Sequence, residues 1–268
     1  MRERQQDIDF ALRLAEEAGR LALRHLHGQS TCMRKGDGSE VTAADLEVER
    51  LMRDQIRLAY PQHGICGEEF GQEGAVEAAS RWILDPIDGT RWFNRGLPIF
   101  GVLLALEREG TIELGVTHFP AIGETVWASR GGPCYFNGRL CSVSSVDRLE
   151  RSTISLAETT SFTRHHKMHV RRTFEQRCQH CLGCGDAYGH VLVATGRLEL
   201  MLDPVASLWD FAPLVPILRA AGGCLVSWTG SEVTHEGTCL STSPRLLGEV
   251  LRLVEESERL DGQSATDC

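Results

Sequence analysis

The sequence predicts a layered α/β (α+β) protein built from two joined halves. Segments with a three-to-four residue apolar period alternate with short apolar runs bounded by turn residues. The 268 residues are enough for one large domain or two fused layers around a sizeable core. Apolar residues make up 42% and charged residues 24%, the proportions of a globular protein, and no repeat or low-complexity linker interrupts them.

The elements follow in order. Phe10, Leu14, Ala18 and Leu21 give residues 7–27 the period of a helix with one buried face, ended by Gly28-Gln29-Ser30. Thr42 is placed to cap a second helix that carries Leu46, Val48, Leu51 and Ile56 and stops before Pro61. Residues 64–69 read as a short extended piece ending in two acids. The apolar run 81–84 reads as a buried strand that breaks at Asp85-Pro86. Residues 100–128 read as successive strands split at 108–110 and 120–123, and Asn137-Gly138 signals a two-residue hairpin. A second half, opening near Arg148, is expected to hold strands at 152–156, 198–202, 224–228 and 238–241. Its helices are expected at 162–178, 187–195, 209–221 and 246–260, with Gly222-Gly223 ending the third and a loose tail after Asp261.

Charge and cysteine usage exclude several function classes. The net charge is −9 with no basic run, so a nucleic-acid partner is not expected. An acidic protein that handles an anionic substrate needs a local positive charge, which a bound metal supplies. No stretch approaches the ~20 apolar residues of a membrane span, and the polar start does not read as a secretory signal. The ten cysteines are therefore expected as reduced thiols in the cytoplasm. Cys178, Cys181 and Cys184 have the spacing of part of an iron–sulfur site but lack a nearby fourth thiolate. His165, His166 and His169 lie among Arg164, Lys167 and Arg171 and read as a solvated face rather than a zinc site.

The chemistry concentrates in Trp82-Ile83-Leu84-Asp85-Pro86-Ile87-Asp88-Gly89-Thr90. Two carboxylates three residues apart flank a Pro-Ile turn at a strand end, so both acids and the Ile87 carbonyl can point to one side. Hard divalent cations prefer such oxygen donors. Gly89 and Thr90 follow, where backbone N–H groups at a helix start can hold a phosphate.

With Gly67-Glu68-Glu69, Val41-Thr42-Ala43-Ala44-Asp45, Trp209-Asp210 and Gly222-Gly223 in the same order, this motif resembles the inositol monophosphatase-like family of magnesium-dependent, lithium-sensitive phosphatases. The resemblance covers almost the whole chain. It implies a layered αβαβα sandwich in which residues 1–147 carry most metal ligands and 148–268 carry Asp210 and the specificity residues. Carried over by position, it makes Glu68, Asp85, Asp88 and Asp210 ligands of two or three Mg2+ ions (with Mn2+ able to substitute), with the Ile87 carbonyl. Gly89 and Thr90 are then the phosphate-binding pair, Glu68 positions and deprotonates the attacking water, and Asp45 stands near Thr90. Lys35 corresponds to a family lysine on a mobile loop, and Glu69 receives no ligand role. A homodimer is implied by the same resemblance.

Gly185-Asp186-Ala187-Tyr188-Gly189-His190 and Thr90-Arg91-Trp92-Phe93 resemble the histidinol-phosphate phosphatase branch. Asp186 and Asp203, with Asp88 and Asp210, are the residues this implies at the substrate. Two extra acids suit a cationic amino alcohol, though they can also hydrogen-bond the hydroxyls of inositol 1-phosphate or of a broader set of esters. A non-catalytic binding member of the fold is the distant alternative, opposed by the intact acids and Thr90.

Overall fold

The computed structural model describes residues 2–26, 32–34, 40–74, 79–233 and 237–264. The chain opens with α1 (Arg2–Leu26), the antiparallel pair β1 (Cys32–Arg34) and β2 (Glu40–Thr42), and α2 (Ala43–Ala59). Next come β3 (Gly64–Gly67), β4 (Gly71–Glu73), β5 (Ser80–Asp88) and the single turn α3 (Thr90–Phe93). A meander follows: β6 (Gly101–Arg108), β7 (Thr111–Phe119), β8 (Glu124–Ser129), β9 (Cys134–Phe136) and β10 (Arg139–Leu140). The second half begins with β11 (Thr153–Leu156), α4 (Thr159–Arg164), α5 (Met168–Arg177), β12 (His180–Leu182) and α6 (Asp186–Ala194). It ends with β13 (Leu200–Ala206), α7 (Leu208–Phe211), α8 (Leu214–Ala220), β14 (Cys224–Val226), β15 (Gly237–Thr242) and α9 (Pro244–Ser264).

Two larger sheets result. One has eight strands in the order β10-β9-β8-β7-β6-β5-β3-β4, antiparallel except where β3 runs alongside β5. The other has five, β12-β11-β13-β15-β14, with β11 parallel to both of its neighbours. Burial of apolar side chains sets the stacking. Leu14, Ala18, Val48, Met52 and Ile56 of α1 and α2 pack on Trp82, Leu84, Val102 and Leu104, one face of the larger sheet. Leu103, Phe119 and Val126 of its other face meet Val191 of α6 and Leu214, Ile217 and Leu218 of α8. The smaller sheet packs Ile154, Leu200 and Leu240 against Phe162, Phe174, Leu246 and Val250 of α4, α5 and α9. With α6 and α8 between the sheets, the layers run α-β-α-β-α, as expected. Among the described residues no helix is long and apolar enough to cross a membrane.

Several local expectations need correction. The strand expected to break at Asp85-Pro86 continues to Asp88. Its pairing with β6 shifts register between Asp85 and Asp88, and Pro86, which has no N–H to give a ladder, sits inside that irregularity. The helix expected over 162–178 is two, because His166 takes a positive φ of 57° that no continuous helix accommodates. The helix expected over 209–221 divides at Ala212-Pro213 into α7 and α8. Its end is as anticipated: Gly222 has φ 79° and the Gly223 N–H returns to the Leu218 carbonyl at 2.8 Å. The final helix runs on to Ser264, past the expected loose point. Lys35 lies outside the described residues.

Candidate active site

The C-terminal end of β5, the turn after β3, and the first turns of α3, α6 and α7 converge on one cleft of about 640 Å³. Glu68, Asp85, Ile87, Asp88, Gly89, Thr90, Asp186, Asp203 and Asp210 all line it. Asp45 lies behind that wall and reaches it through Thr90.

Each acid is oriented by backbone. Asp85 Oδ1 accepts the Ile87 N–H at 3.0 Å, Asp88 Oδ2 accepts the Ala187 N–H at 3.1 Å, and Asp210 Oδ2 accepts the Ser207 N–H at 2.7 Å. The Asp210 bond belongs to a reciprocal capping box at the start of α7. Ligand atoms of Asp85, Asp88 and Asp210 all lie within 4.8 Å of one another. Burial, then the nearby Glu68, Asp88 and Asp210 charges, pushes the Asp85 carboxyl well above its ordinary range. Burial, then Asp186 and Asp210, does the same to Asp88. Like charges crowded in a low-dielectric wall resist ionisation together, and a cation among them removes that cost. Oxygen-only donors fit a hard divalent ion.

A second capping box holds Asp45. Its Oδ2 accepts the Thr42 N–H at 2.8 Å and the Thr42 hydroxyl at 2.5 Å, while Oδ1 lies 3.2 Å from Thr90 Oγ1. Thr90 Oγ1 is also 3.1 Å from the Ile87 carbonyl, so its hydrogen is shared between two acceptors. Burial raises the Asp45 carboxyl above its ordinary value, and the hydrogen bonds from Thr42 and Thr90 oppose the shift. Gly89 precedes α3 with φ 79° and ψ 38°, a left-handed conformation that favours glycine; a Cβ there would also meet Trp92 Cδ1 at 3.0 Å.

Glu68 follows β3, its N–H bonded to the Leu84 carbonyl at 3.2 Å. Glu49 sets the turn beyond it. This buried acid accepts the Glu69 N–H at 2.7 Å and the Phe70 N–H at 3.2 Å, and Arg53 Nε binds it at 2.8 Å. A Cβ at Gly67 would lie 2.1 Å from Glu49 Oε1, so that position requires glycine for the acid to sit beneath the turn.

On the far wall, contacts that no local pattern signals tie the motif residues Arg91 and Trp92 to Asp186. Arg91 joins Glu158 at 2.5 Å and Asp186 at 3.0 Å, and Trp92 Nε1 donates to Asp186 at 2.9 Å. The exposed Arg164 and half-buried His165 also line the cleft, so the solvated face borders the site. The break at His166 ends α4 there, a turn that helical periodicity did not signal. Asp203 is buried in the β13 irregularity and its Oδ1 accepts the Val205 N–H at 3.3 Å. Burial, then Asp186, pushes its carboxyl well above the usual range.

Residues 3–259 match the Inositol monophosphatase family. The chain belongs to this family. It is therefore a phosphoric monoester hydrolase of a metal-dependent kind, and the acidic cluster accords with that. Among curated relatives, a histidinol-phosphatase from Chlorobaculum parvum is 38% identical over 246 residues, covering 91% of this chain and 95% of that protein. A fructose-1,6-bisphosphatase/inositol-1-monophosphatase from Thermotoga maritima is 33% identical over 253 residues, covering 93% and 96%. Among solved structures, a Thermotoga maritima IMPase superposes with a TM-score of 0.87 at 30% identity, covering 95% of this chain and 98% of that one.

Proposed function

We propose that this inositol monophosphatase family member is a magnesium-dependent histidinol-phosphate phosphatase. The observation that carries the metal is the convergence of the buried carboxylates of Asp85 and Asp88 with the half-buried carboxylate of Asp210, all within 4.8 Å. These three, with Glu68 and the Ile87 carbonyl, would hold two or three Mg2+ ions, with Mn2+ able to substitute. When bound, the ions acidify water and offset charge on the phosphoryl oxygens.

The chain's own groups supply placement. The backbone N–H groups of Gly89 and Thr90, at the first turn of α3, receive the phosphate oxygens. Thr90, 3.2 Å from Asp45, gives its hydrogen to that acid and turns a lone pair toward the attacking water. The capping bonds from Thr42 keep Asp45 in the required rotamer. Glu68, held by the Glu49-braced turn, orients the water and takes its proton. In-line attack then needs no covalent enzyme intermediate, because phosphoryl transfer is governed by positioning and charge.

For the substrate's other end, Asp186, Asp203 and Glu158 form an acidic wall suited to a cationic amino alcohol. Similarity to the Chlorobaculum parvum histidinol-phosphatase supports this reading. One observation favours inositol 1-phosphate instead: Arg91 already lies 3.0 Å from Asp186 and offsets its charge. Inhibition by millimolar lithium and a homodimeric assembly, both by family likeness, complete the proposal together with a cytoplasmic site of action.

The test is phosphate release from histidinol phosphate and from inositol 1-phosphate, each with magnesium and with excess chelator. The expected result is a higher kcat/KM for histidinol phosphate and no turnover in chelator. Full activity without divalent metal sinks the metal assignment, and preference for inositol 1-phosphate sinks the substrate.

A further inference from the structure

Away from the cleft, the edge of the larger sheet holds a pair of thiols for which the phosphatase reaction has no use. Cys134 begins β9 and Cys141 follows β10, across the Asn137-Gly138 hairpin. The ladder pairs Arg139 with Phe136 and Leu140 with Tyr135, so the next step faces Cys141 with Cys134. The Cys141 N–H reaches the Cys134 carbonyl at 3.1 Å, and the two sulfurs are 3.3 Å apart. Directly opposed residues of an antiparallel pair have Cα atoms about 4.5–5.5 Å apart, within the span a disulfide bridges without backbone movement.

The two sulfurs are not equivalent. Cys134 is 1% exposed, whereas Cys141 is half-buried beside Leu140, which is 70% exposed. As a thiolate, Cys141 accepts the Cys134 S–H. That bond, with the Arg197 guanidinium nearby, holds the Cys141 thiol below its usual range, and the same bond and burial push Cys134 up. Cys141 is therefore the nucleophile and Cys134 the neighbour placed to resolve its oxidation.

We propose that Cys134 and Cys141 are an oxidation site at which a hydroperoxide converts the two thiols into an intramolecular disulfide. The Cys141 thiolate attacks a peroxide oxygen, the O–O bond breaks, and Cys141 becomes a sulfenic acid while hydroxide leaves and takes up the proton that Cys141 had released. The Cys134 sulfur then attacks the Cys141 sulfur, and the S–O bond breaks as water departs with the Cys134 proton. Two thiols lose two electrons and two protons, and one hydrogen peroxide becomes two waters. The bond closes the sheet edge just where the chain leaves for the second half, at Val143, whose N–H binds the Ala221 carbonyl at 3.0 Å.

Trypsin makes the test direct, because Arg139 lies between the two cysteines and Arg130 and Arg148 flank them. The native protein is treated with hydrogen peroxide, remaining thiols are alkylated, and the tryptic digest is analysed without reductant. Peptides 131–139 and 140–148 should appear as one linked species that dithiothreitol separates. Recovery of both peptides unlinked and alkylated overturns the proposal, whichever other thiols have reacted. In Cys134→Ser the sulfenic acid has no partner and should be captured on Cys141 by dimedone. Capture on Cys134 in Cys141→Ser, with none on Cys141 in Cys134→Ser, overturns the assignment of Cys141 as the attacking sulfur.

Discussion

Glu49 and Asp85 are both fully buried acids, 0% and 1% exposed, and the chain treats them in opposite ways. Around Glu49 it supplies a cation and two N–H groups: Arg53 at 2.8 Å, Glu69 at 2.7 Å and Phe70 at 3.2 Å. Arg53 is itself tied to Glu73 at 3.0 Å and to the Gly71 carbonyl at 2.5 Å. Around Asp85 the chain supplies one N–H and more acids. A buried charge that finds its counterion within the chain builds structure; one surrounded by like charge marks a place for a cation from outside. Here the first kind holds the turn that presents Glu68 to the second.

The largest effect should come from weakening the cluster. Asp88→Asn keeps the shape and the bond from Ala187 but removes a ligand charge. Phosphatase activity is expected to fall by about a thousandfold, or about 4 kcal/mol of transition-state stabilisation. In excess chelator the same variant should melt no lower than the parent, because it relieves repulsion. A variant that turns over at the parental rate, or that melts well below the parent in chelator, puts Asp88 with Glu49 among the structural acids.

Glu49→Gln should do the reverse. It removes the nearer of the two counterions of the buried Arg53, and breaking a buried pair from one side costs on the order of 3 kcal/mol. Glu73 still neutralises Arg53, which sets the expectation at the low end of that class. Urea denaturation of the chelated protein is the measurement, and an unchanged midpoint would show that the Glu49–Arg53 pair does not hold the turn.

How far the sequence told these regions apart follows from the range of each signal. Asp85, Asp88, Gly89 and Thr90 lie within six residues, and their spacing alone suggested oxygen ligands beside a phosphate cradle. Thr42 as the cap of α2 was equally local. Glu49 was invisible, since its meaning depends on the Glu69 and Phe70 N–H groups twenty residues away. The three residues of β12 carry little pattern, and their pairing beside β11 is set by sheet closure. That His165 borders the cleft was not legible, because a break at His166 reads as any other helical position. Nor did periodicity bring Arg91 to Asp186, 95 positions on; that contact exists only once the two halves have packed.

A buried base extends the comparison. His190, 3% exposed with Nδ1 2.9 Å from Ser241 Oγ, has its pKa lowered by burial from 6.5 to about 3. Its folded value lies below its unfolded one, so between them the unfolded chain binds the extra proton. Stability is full above about pH 6.5 and is lost as the pH falls toward 3. At pH 5 the loss attributable to His190 is about 2 kcal/mol. Comparing denaturation midpoints at pH 7 and pH 5 for the parent and His190→Gln checks this; an equal drop in both proteins removes His190 from the account.

The smallest expected effect bears on recognition. Asp186 stands between the two kinds of acid, since it helps push Asp88 up and yet has a cation of its own in Arg91 and a donor in Trp92. If its remaining charge meets the substrate, Asp186→Asn should weaken a cationic substrate more than a neutral one. A charge-assisted hydrogen bond is worth about 1.5–3 kcal/mol, and sharing with Arg91 puts the expectation at about 1.5, or roughly tenfold in kcat/KM on histidinol phosphate. Inositol 1-phosphate and an aryl phosphate should lose much less. Equal losses on all three esters would instead make Asp186 the anchor that holds Arg91 and Trp92 behind the phosphate cradle, and would group it with Glu49. A gain on inositol 1-phosphate would mean that the released Arg91 serves the substrate directly, and the preference for the amino alcohol would have to be abandoned.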